Sequence, residues 1–282
     1  MMGKLFLVAT PIGNLNDMSP RAVEILKTAD LIAAEDTRNT IKLLNHFDIR
    51  VPMTSYHEYN RIEKAEELIG KMQSGMNVAL VTDAGMPAIS DPGEDLVRMS
   101  MESGIEVTVV PGPCAAVSAL AISGLPTGRF VFEGFLPNDK NKKEREARLE
   151  ALKNETRTII FYEAPHRLVR TLEILVKTFG ETRRASAVRE LTKVHEEVNR
   201  STLGELLEKY SLSEPRGEFV IVVEGEDPLK ILEQKRSEWS DISIREHVER
   251  YVNEGMDKKD AMKKVAAERG IGKREVYREC TD

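Results

Sequence analysis

The stretch that most constrains this chain is Val78–Gly93, VALVTDAGMPAISDPG. Its first four residues are apolar and strand-like. Asp83, Gly85, Pro87, Asp91, Pro92 and Gly93 then fall within eleven positions, too dense in breakers for regular structure. Asp91 is a good N-cap, and Pro92 suits the first helical position after it. A buried strand therefore feeds a long glycine and proline loop, which feeds a helix. In an open α/β sheet such loops, at the carboxyl ends of strands, are where ligands bind. A tight structural crossover is the alternative reading.

The rest of the chain repeats the pattern. Lys4–Ala9 reads as a buried strand into the loop Thr10–Asn14, and Ser19-Pro20 opens a helix to about Lys27. Leu31–Ala34 is a strand ending in Glu35-Asp36-Thr37-Arg38, with a helix to about Phe47. A short strand and the polar run Ser55–Asn60 lead to a helix over Arg61–Gln73. Glu106–Val110 is a strand into Pro111-Gly112-Pro113-Cys114, followed by the small-residue helix Ala115–Ser123. Strand and helix alternating in this way predict a mostly parallel sheet covered on both faces. After the pause at Ser123–Gly128, strands are predicted at Phe130–Phe135, Thr158–Tyr162, Arg184–Val188, Glu196–Arg200 and Phe219–Val223. Helices are predicted over Asp139–Lys153 and Pro165–Phe179. From Asp227 the texture is helical and charged. The expected organisation is an N-terminal α/β domain over 1–124, a second over 125–227, and a small helical tail domain over 228–282.

At 282 residues the chain is long enough for such cores, and 41% apolar with 31% charged residues is ordinary for a soluble protein. No apolar run approaches membrane-span length, and Met1–Gly13 shows neither a charged start nor a long apolar segment. The two cysteines, Cys114 and Cys280, suggest no disulfide framework, so a cytoplasmic location is expected. No G-x-G-x-x-G follows the first strand and no G-x-x-x-x-G-K-[ST] occurs, which removes the main support for dinucleotide and P-loop chemistry. What remains is a nucleotide-like ligand surrounded by turn backbone, with the start of the Ala115 helix able to take a carboxylate. His46, His195 and His247 lack metal-ligand spacing, and no metal is expected.

The motifs VATPIGNL, IAAEDTRNT, SYHEYN, VTDAGMPAISDPG and VPGPCAAVSALAISGLPTGRF, with FYEAPHR, RELTKVHEE and GEFVIVVEG, resemble the tetrapyrrole (corrin/porphyrin) methylase family. The likeness runs from about Lys4 to Gly225. It is most specific for the branch that 2′-O-methylates a cytidine ribose in small-subunit (16S) ribosomal RNA. Tyr59 departs from that branch, where histidine is expected, and Met86 stands where the corrin and porphyrin branch carries an acidic residue. The resemblance implies two α/β domains with S-adenosylmethionine in the interdomain cleft, in a homodimer. By position, the cofactor would touch Pro11, Asp83, Met86, Ile89, Ala115, Ala116, Tyr162 and Leu191, with Gly217–Phe219 beside them. It also implies small-subunit rRNA, or the assembled small ribosomal subunit, as partner. A corrinoid or porphyrin methyltransferase, or a non-catalytic ribosome-associated RNA-binding protein, are the competing functions.

Polar residues near the loops are candidates for the chemistry. Arg38 suits an RNA phosphate; His57 or Glu163 suits accepting the hydroxyl proton. The alternatives are a surface ion pair, a solvated loop histidine and a carboxylate near a helix cap. A net charge of −6 argues against a polyanionic partner on average, but the distribution is uneven. Asp139–Arg148 holds five basic residues against three acidic, and residues 258–274 carry seven against two. That tail reads as helix, glycine turn, helix, with Lys258, Lys259, Lys263 and Lys264 as RNA-phosphate candidates. A solvated charged helix pair is the alternative.

Overall fold

The computed structural model describes residues 2–239 and 242–281. Five strands, β1 (Lys4–Val8), β2 (Leu31–Ala34), β3 (Met53–Ser55), β4 (Val78–Val81) and β5 (Glu106–Val110), form an all-parallel sheet in the order β3-β2-β4-β1-β5. The helices between them are α1 (Pro20–Thr28), α2 (Thr37–His46), α3 (Arg61–Gln73) and α4 (Gly93–Glu102). Every residue of β2 and β4 is buried, the mark of strands covered on both faces. Alternate residues explain how. Leu31, Ala33, Val78 and Leu80 pack with Leu68, Met72 and Leu96 of α3 and α4, while Ile32, Ala34, Ala79 and Val81 pack with Ala22, Leu26 and Leu44 of α1 and α2.

The helix starts are set locally. The Ser19 hydroxyl accepts the Ala22 N–H at 3.1 Å, with Pro20 first in α1. Asp91 Oδ1 accepts from Gly93 at 2.6 Å, but α4 begins at Gly93, which places Pro92 rather than Asp91 at the N-cap, one residue later than expected. Then α5 (Ala115–Ile122) leaves the first sheet and packs against the second, its Ala116, Ala119 and Leu120 meeting Ile160, Val188, Val220 and Val222.

That second sheet holds β6 (Phe130–Phe135), β7 (Thr158–Glu163), β8 (Arg184–Arg189), β9 (Glu197–Thr202) and β10 (Phe219–Val223), in the order β6-β7-β10-β8-β9. Only β6 and β7 run parallel. The helix expected over Asp139–Lys153 is a 3₁₀ turn, Asp139–Asn141, followed by α6 (Lys142–Leu152), because Asn138 accepts the Lys140 N–H. The one expected from Pro165 likewise starts as a 3₁₀ turn before α7 (Leu168–Phe179). A helix absent from the sequence reading, α8 (Leu203–Ser211), begins at a capping box of Thr202 and Glu205.

The chain divides into two compact units, Met1–Ala147 with Thr158–Glu224, and Arg148–Arg157 with Gly225–Asp282. The first holds both sheets. The second contains α9 (Pro228–Glu238), α10 (Ile244–Asn253), α11 (Lys258–Arg269) and α12 (Lys273–Thr281). Its core is Val248, Ala261, Val265, Ala266 and Val276. Gly270 ends α11 in the left-handed conformation, φ 64° and ψ 31°, which a side chain would disfavour.

Candidate functional site

Strand register decides which loops meet. Ala34 pairs with both Ser55 and Val81, so Glu35, Tyr56 and Thr82 leave the sheet side by side. Val8 pairs with Val110, which sets the loop after β1 beside the one after β5. Thr10 and Gly85 then bridge β1's loop to β4's through two backbone hydrogen bonds, 2.9 and 3.1 Å. Within the β4–α4 loop, Ala88 and Ser90 hold left-handed φ values of 66° and 60°. Asp91 Oδ1 stabilises that path by accepting from Ala88 at 2.9 Å as well as from Gly93.

These loops and those of the second sheet enclose a cavity of about 490 Å³. Asp83, Met86, Ile89, Ala115, Tyr162, Leu191 and Phe219, all singled out from sequence, line it, as does Glu163. Pro11 and Ala116 stand one residue away from the lining residues Ile12 and Ala115. The Ala116 N–H donates to Tyr162 Oη at 3.1 Å, tying the start of α5 to β7. Burial, and then Cys114, push the Tyr162 hydroxyl up to about 12, so it stays protonated at neutral pH. Its ring packs edge-on against Phe132 and Phe135.

The cavity's floor on the first sheet is acidic. Glu35 Oε2 accepts from Thr82 Oγ1 at 2.7 Å. Asp83 accepts from the Asp36 N–H and from Asn39 Nδ2, both at 3.2 Å. Burial pushes the Asp83 and Asp91 carboxyls above the usual carboxylate range.

On the opposite wall, sequence reasoning picked out Leu191 and Gly217–Phe219 but not Lys193 or the left-handed backbone beside them. Glu190 and Thr192 adopt left-handed φ, 50° and 66°. Lys193, a lining residue, donates from Nζ to Glu190 Oε1 and Glu218 Oε2, both at 2.9 Å. Glu190 Oε1 also accepts the Glu218 N–H at 3.0 Å. Burial raises the Glu190 carboxyl, but the Glu218 amide and Lys193 outweigh it and hold it below its usual range. Gly217 admits this arrangement: its φ is 82°, and a Cβ there would stand 2.4 Å from Glu190 Cγ. A Cβ on Gly13 would meet Lys193 Cγ at 2.3 Å, so the loop after β1 and the loop after β8 lie against each other. Gly217 and Gly13 are visible in the sequence; the left-handed Glu190 and Thr192 leave no sequence signal.

The three candidates for chemistry sit apart. Arg38 is outside the lining, with its side chain 88% exposed and its guanidinium paired to Asp36 through Nη2 at 2.8 Å. That pairing holds the Asp36 carboxyl down at about 2. His57 is also outside the lining; its N–H donates to Asn60 Oδ1 at 2.8 Å, while its buried Nδ1 makes no hydrogen bond among the described residues. Glu163 lines the cavity, but its buried carboxylate accepts from Thr171 Oγ1 at 2.5 Å and the Ala164 N–H at 2.8 Å, with Arg167 Nε 3.4 Å away.

In the second unit, Lys258 Nζ donates to the Cys280 carbonyl at 3.4 Å and Lys263 pairs with Asp260 at 2.7 Å. Lys264 lies 4.0 Å over the Tyr251 ring, and the Lys259 N–H is capped by Asp257. No cluster with metal-ligand character is found among the described residues, and none of their helices is long and apolar enough to cross a membrane.

Residues 4–207 match the family model for tetrapyrrole (corrin/porphyrin) methylases. A protein of Synechocystis sp. named ribosomal RNA small subunit methyltransferase I is 48% identical over 276 residues, 98% of this chain and 96% of that one. A protein of the same name from Halalkalibacterium halodurans is 49% identical over 275 residues, 98% of this chain and 93% of its own. Among solved structures, a cobalamin biosynthetic enzyme, cobalt precorrin-4 methyltransferase, superimposes with a TM-score of 0.59. It covers 78% of this chain and 94% of its own at 17% identity, a likeness of fold alone.

Proposed function

The chain belongs to the tetrapyrrole (corrin/porphyrin) methylase family, and from that premise we propose that it is an S-adenosylmethionine-dependent enzyme that 2′-O-methylates a cytidine ribose in small-subunit (16S) ribosomal RNA. The observation that carries this reading is near-50% identity, along almost the whole chain, to relatives named ribosomal RNA small subunit methyltransferase I. The corrin enzyme shares the fold at far lower identity, which favours RNA over a corrinoid acceptor.

The cavity suits the cofactor. Its volume of about 490 Å³ falls within the ~300–1,000 Å³ of small-molecule pockets. Met86, Ile89 and Leu191 offer apolar contact, Asp83 and Glu35 offer negative charge to a sulfonium or ammonium, and the start of α5 suits a carboxylate. S-adenosylmethionine supplies an electrophilic methyl group, so the protein's own task is alignment and exclusion of water. We assign holding of the cofactor to Pro11, Asp83, Met86, Ile89, Ala115, Ala116, Tyr162, Leu191 and Phe219. Tyr162 fixes the start of α5 through the Ala116 N–H. Arg38 is assigned to a phosphate of the acceptor strand, and its near-complete exposure favours that role. His57 or Glu163 is assigned to the hydroxyl proton; the Thr171 and Arg167 contacts of Glu163 weigh towards His57.

We propose division of the chain into α/β domains over 1–124 and 125–227 and a helical tail over 228–282; one sheet on each side of residue 124 and the helices from Pro228 support it. Lys258, Lys259, Lys263 and Lys264 are assigned to accessory phosphate contacts, for which Lys258, Lys263 and Lys264 exchange their Cys280, Asp260 and Tyr251 contacts. A cytoplasmic homodimer is proposed, supported by exposed Val109 on the edge strand β5 and exposed Val117 on α5.

The test is methyl transfer from radiolabelled S-adenosylmethionine to isolated small subunits, to protein-free rRNA and to a tetrapyrrole precursor. Label in ribose of either RNA substrate is expected, and a deoxyribose at the target nucleotide must abolish it. Label in the tetrapyrrole alone, or none anywhere, would overturn the proposal.

A further inference from the structure

We infer that the outward face of α12, made by Lys273, Arg274, Tyr277 and Arg278, is an RNA-binding site that grips ribosomal RNA in addition to the methyl-transfer site. The inference rests on RNA being the substrate.

Three features of the helix carry it. Val276 is fully buried in the core of the second unit, which fixes how α12 is turned. At 3.6 residues per turn, Arg274 and Arg278 fall opposite Val276, with Tyr277 and then Lys273 on the flank that leads back towards the core, and all four are exposed. Glu275 and Glu279, also exposed and four apart, fall on the other flank. Charge on α12 is therefore segregated: cations and an aromatic ring on one side, carboxylates on the other. A helix that merely needs solubility has no reason to sort its charges in this way.

The lysines of α11 differ. Lys258, Lys263 and Lys264 are already occupied by the Cys280 carbonyl, the Asp260 carboxylate and the Tyr251 ring. Lys273, Arg274 and Arg278 have no ion pair among the described residues. A phosphate reaching Lys273, Arg274 or Arg278 displaces no ion-pair partner among the described residues.

The geometry of the unit presents this face. α11 ends at left-handed Gly270, and Ile271 and Gly272 link it to α12, a three-residue turn. Both helices pack on α10, so α12 stands as the second helix of a helix-turn-helix-like arrangement. Three cations spaced along one side suit successive phosphates, and Tyr277, 59% exposed between them, suits stacking on an unpaired base. The chain's net charge of −6 makes such a local patch necessary for holding a polyanion.

The test uses the full chain and protein-free small-subunit rRNA, with binding measured across a range of KCl concentrations. Lys273→Gln/Arg274→Gln/Arg278→Gln is expected to reduce the slope of log affinity against log salt by roughly 2 to 3. Lys263→Gln, whose ammonium is already paired, should reduce it less. Tyr277→Ala should weaken binding about tenfold, while Tyr277→Phe keeps it. The triple variant should raise KM for small subunits and leave S-adenosylmethionine affinity unchanged. Unchanged thermal melting of each variant shows that Val276 and the core are intact. A salt slope equal to that of the unmodified chain, or tighter binding to duplex DNA than to rRNA, overturns the inference. Absence of methyl transfer by the unmodified chain overturns instead the RNA methyltransferase reading on which it rests, and the two failures are read in separate assays.

Discussion

Replacing Gly217 by alanine tests how the second-sheet wall of the cavity is held. Two costs add. The backbone at φ 82° disfavours any side chain, by about 1 kcal/mol. The new Cβ also collides with Glu190, at 2.4 Å from Cγ and 2.6 Å from Oε1, so the carboxylate must leave. It then loses the Glu218 N–H and the Lys193 ammonium, at 3.0 and 2.9 Å. Charge-assisted hydrogen bonds contribute about 1.5–3 kcal/mol when buried, but these groups are partly exposed, which reduces each to about 1 kcal/mol. The sum is about 3 kcal/mol, or roughly 6–12 °C in melting temperature for a domain of this size. Gly104→Ala is the matched control: φ is 72° but nothing lies within 4 Å of its Cβ, so only the backbone cost of about 1 kcal/mol remains. Differential scanning calorimetry on both variants reads the gap. Titration with S-adenosylmethionine should show weaker binding in Gly217→Ala alone, because Leu191 and Lys193 move with Glu190. Equal melting temperatures and equal affinities in the two variants would refute the role given to Glu190.

Other consequences are as direct. Tyr162→Phe keeps the ring contacts but orphans the Ala116 N–H at the start of α5, costing about 1–3 kcal/mol of stability and weakening cofactor binding; thermal melts and calorimetry check both. Gly85→Trp should abolish cofactor binding, since Gly85 lines the cavity and is bridged to Thr10; full affinity by calorimetry would misplace the site. Arg38→Ala should weaken RNA binding, whereas loss of the proton acceptor in His57→Ala or Glu163→Gln should lower the single-turnover rate by roughly two to four powers of ten with both ligands still bound. Normal rates in all three would make these residues scaffold. Finally, burial and then Arg269 push the fully buried His247 below its ordinary value of 6.5, with Glu268, Arg250 and the stacked Trp239 ring around it. Its folded form stays neutral while the unfolded chain takes a proton, so its stabilisation is complete above pH 6.5 and is lost as pH falls below that value. Fluorescence of Trp239, the chain's single tryptophan, should report acid loosening around it that His247→Gln flattens.

The elements that sequence alone determines are those whose signal is local. β2, β4, β5, β6 and β10 begin and end where apolar runs meet breakers, and Ser19 marks a helix start because capping is a contact between neighbours in the chain. The turn at Gly270 is equally legible, since left-handed backbone selects glycine. α8 was open to the same reasoning through Thr202 and Glu205, with Leu203, Leu206 and Tyr210 on its buried side. Tertiary structure decided which loops share the cavity. Arg38 and His57 follow β2 and β3, at one end of the order β3-β2-β4-β1-β5; from that end only Glu35 reaches the cavity, which the loops after β4, β1 and β5 line with those of the second sheet. Strand order comes from pairing between segments tens of residues apart, which no local pattern records. The Glu190–Lys193 wall has the same origin: its left-handed residues are held by Glu218, Gly217 and Gly13, and a backbone strained by distant contacts has no trace in its own sequence.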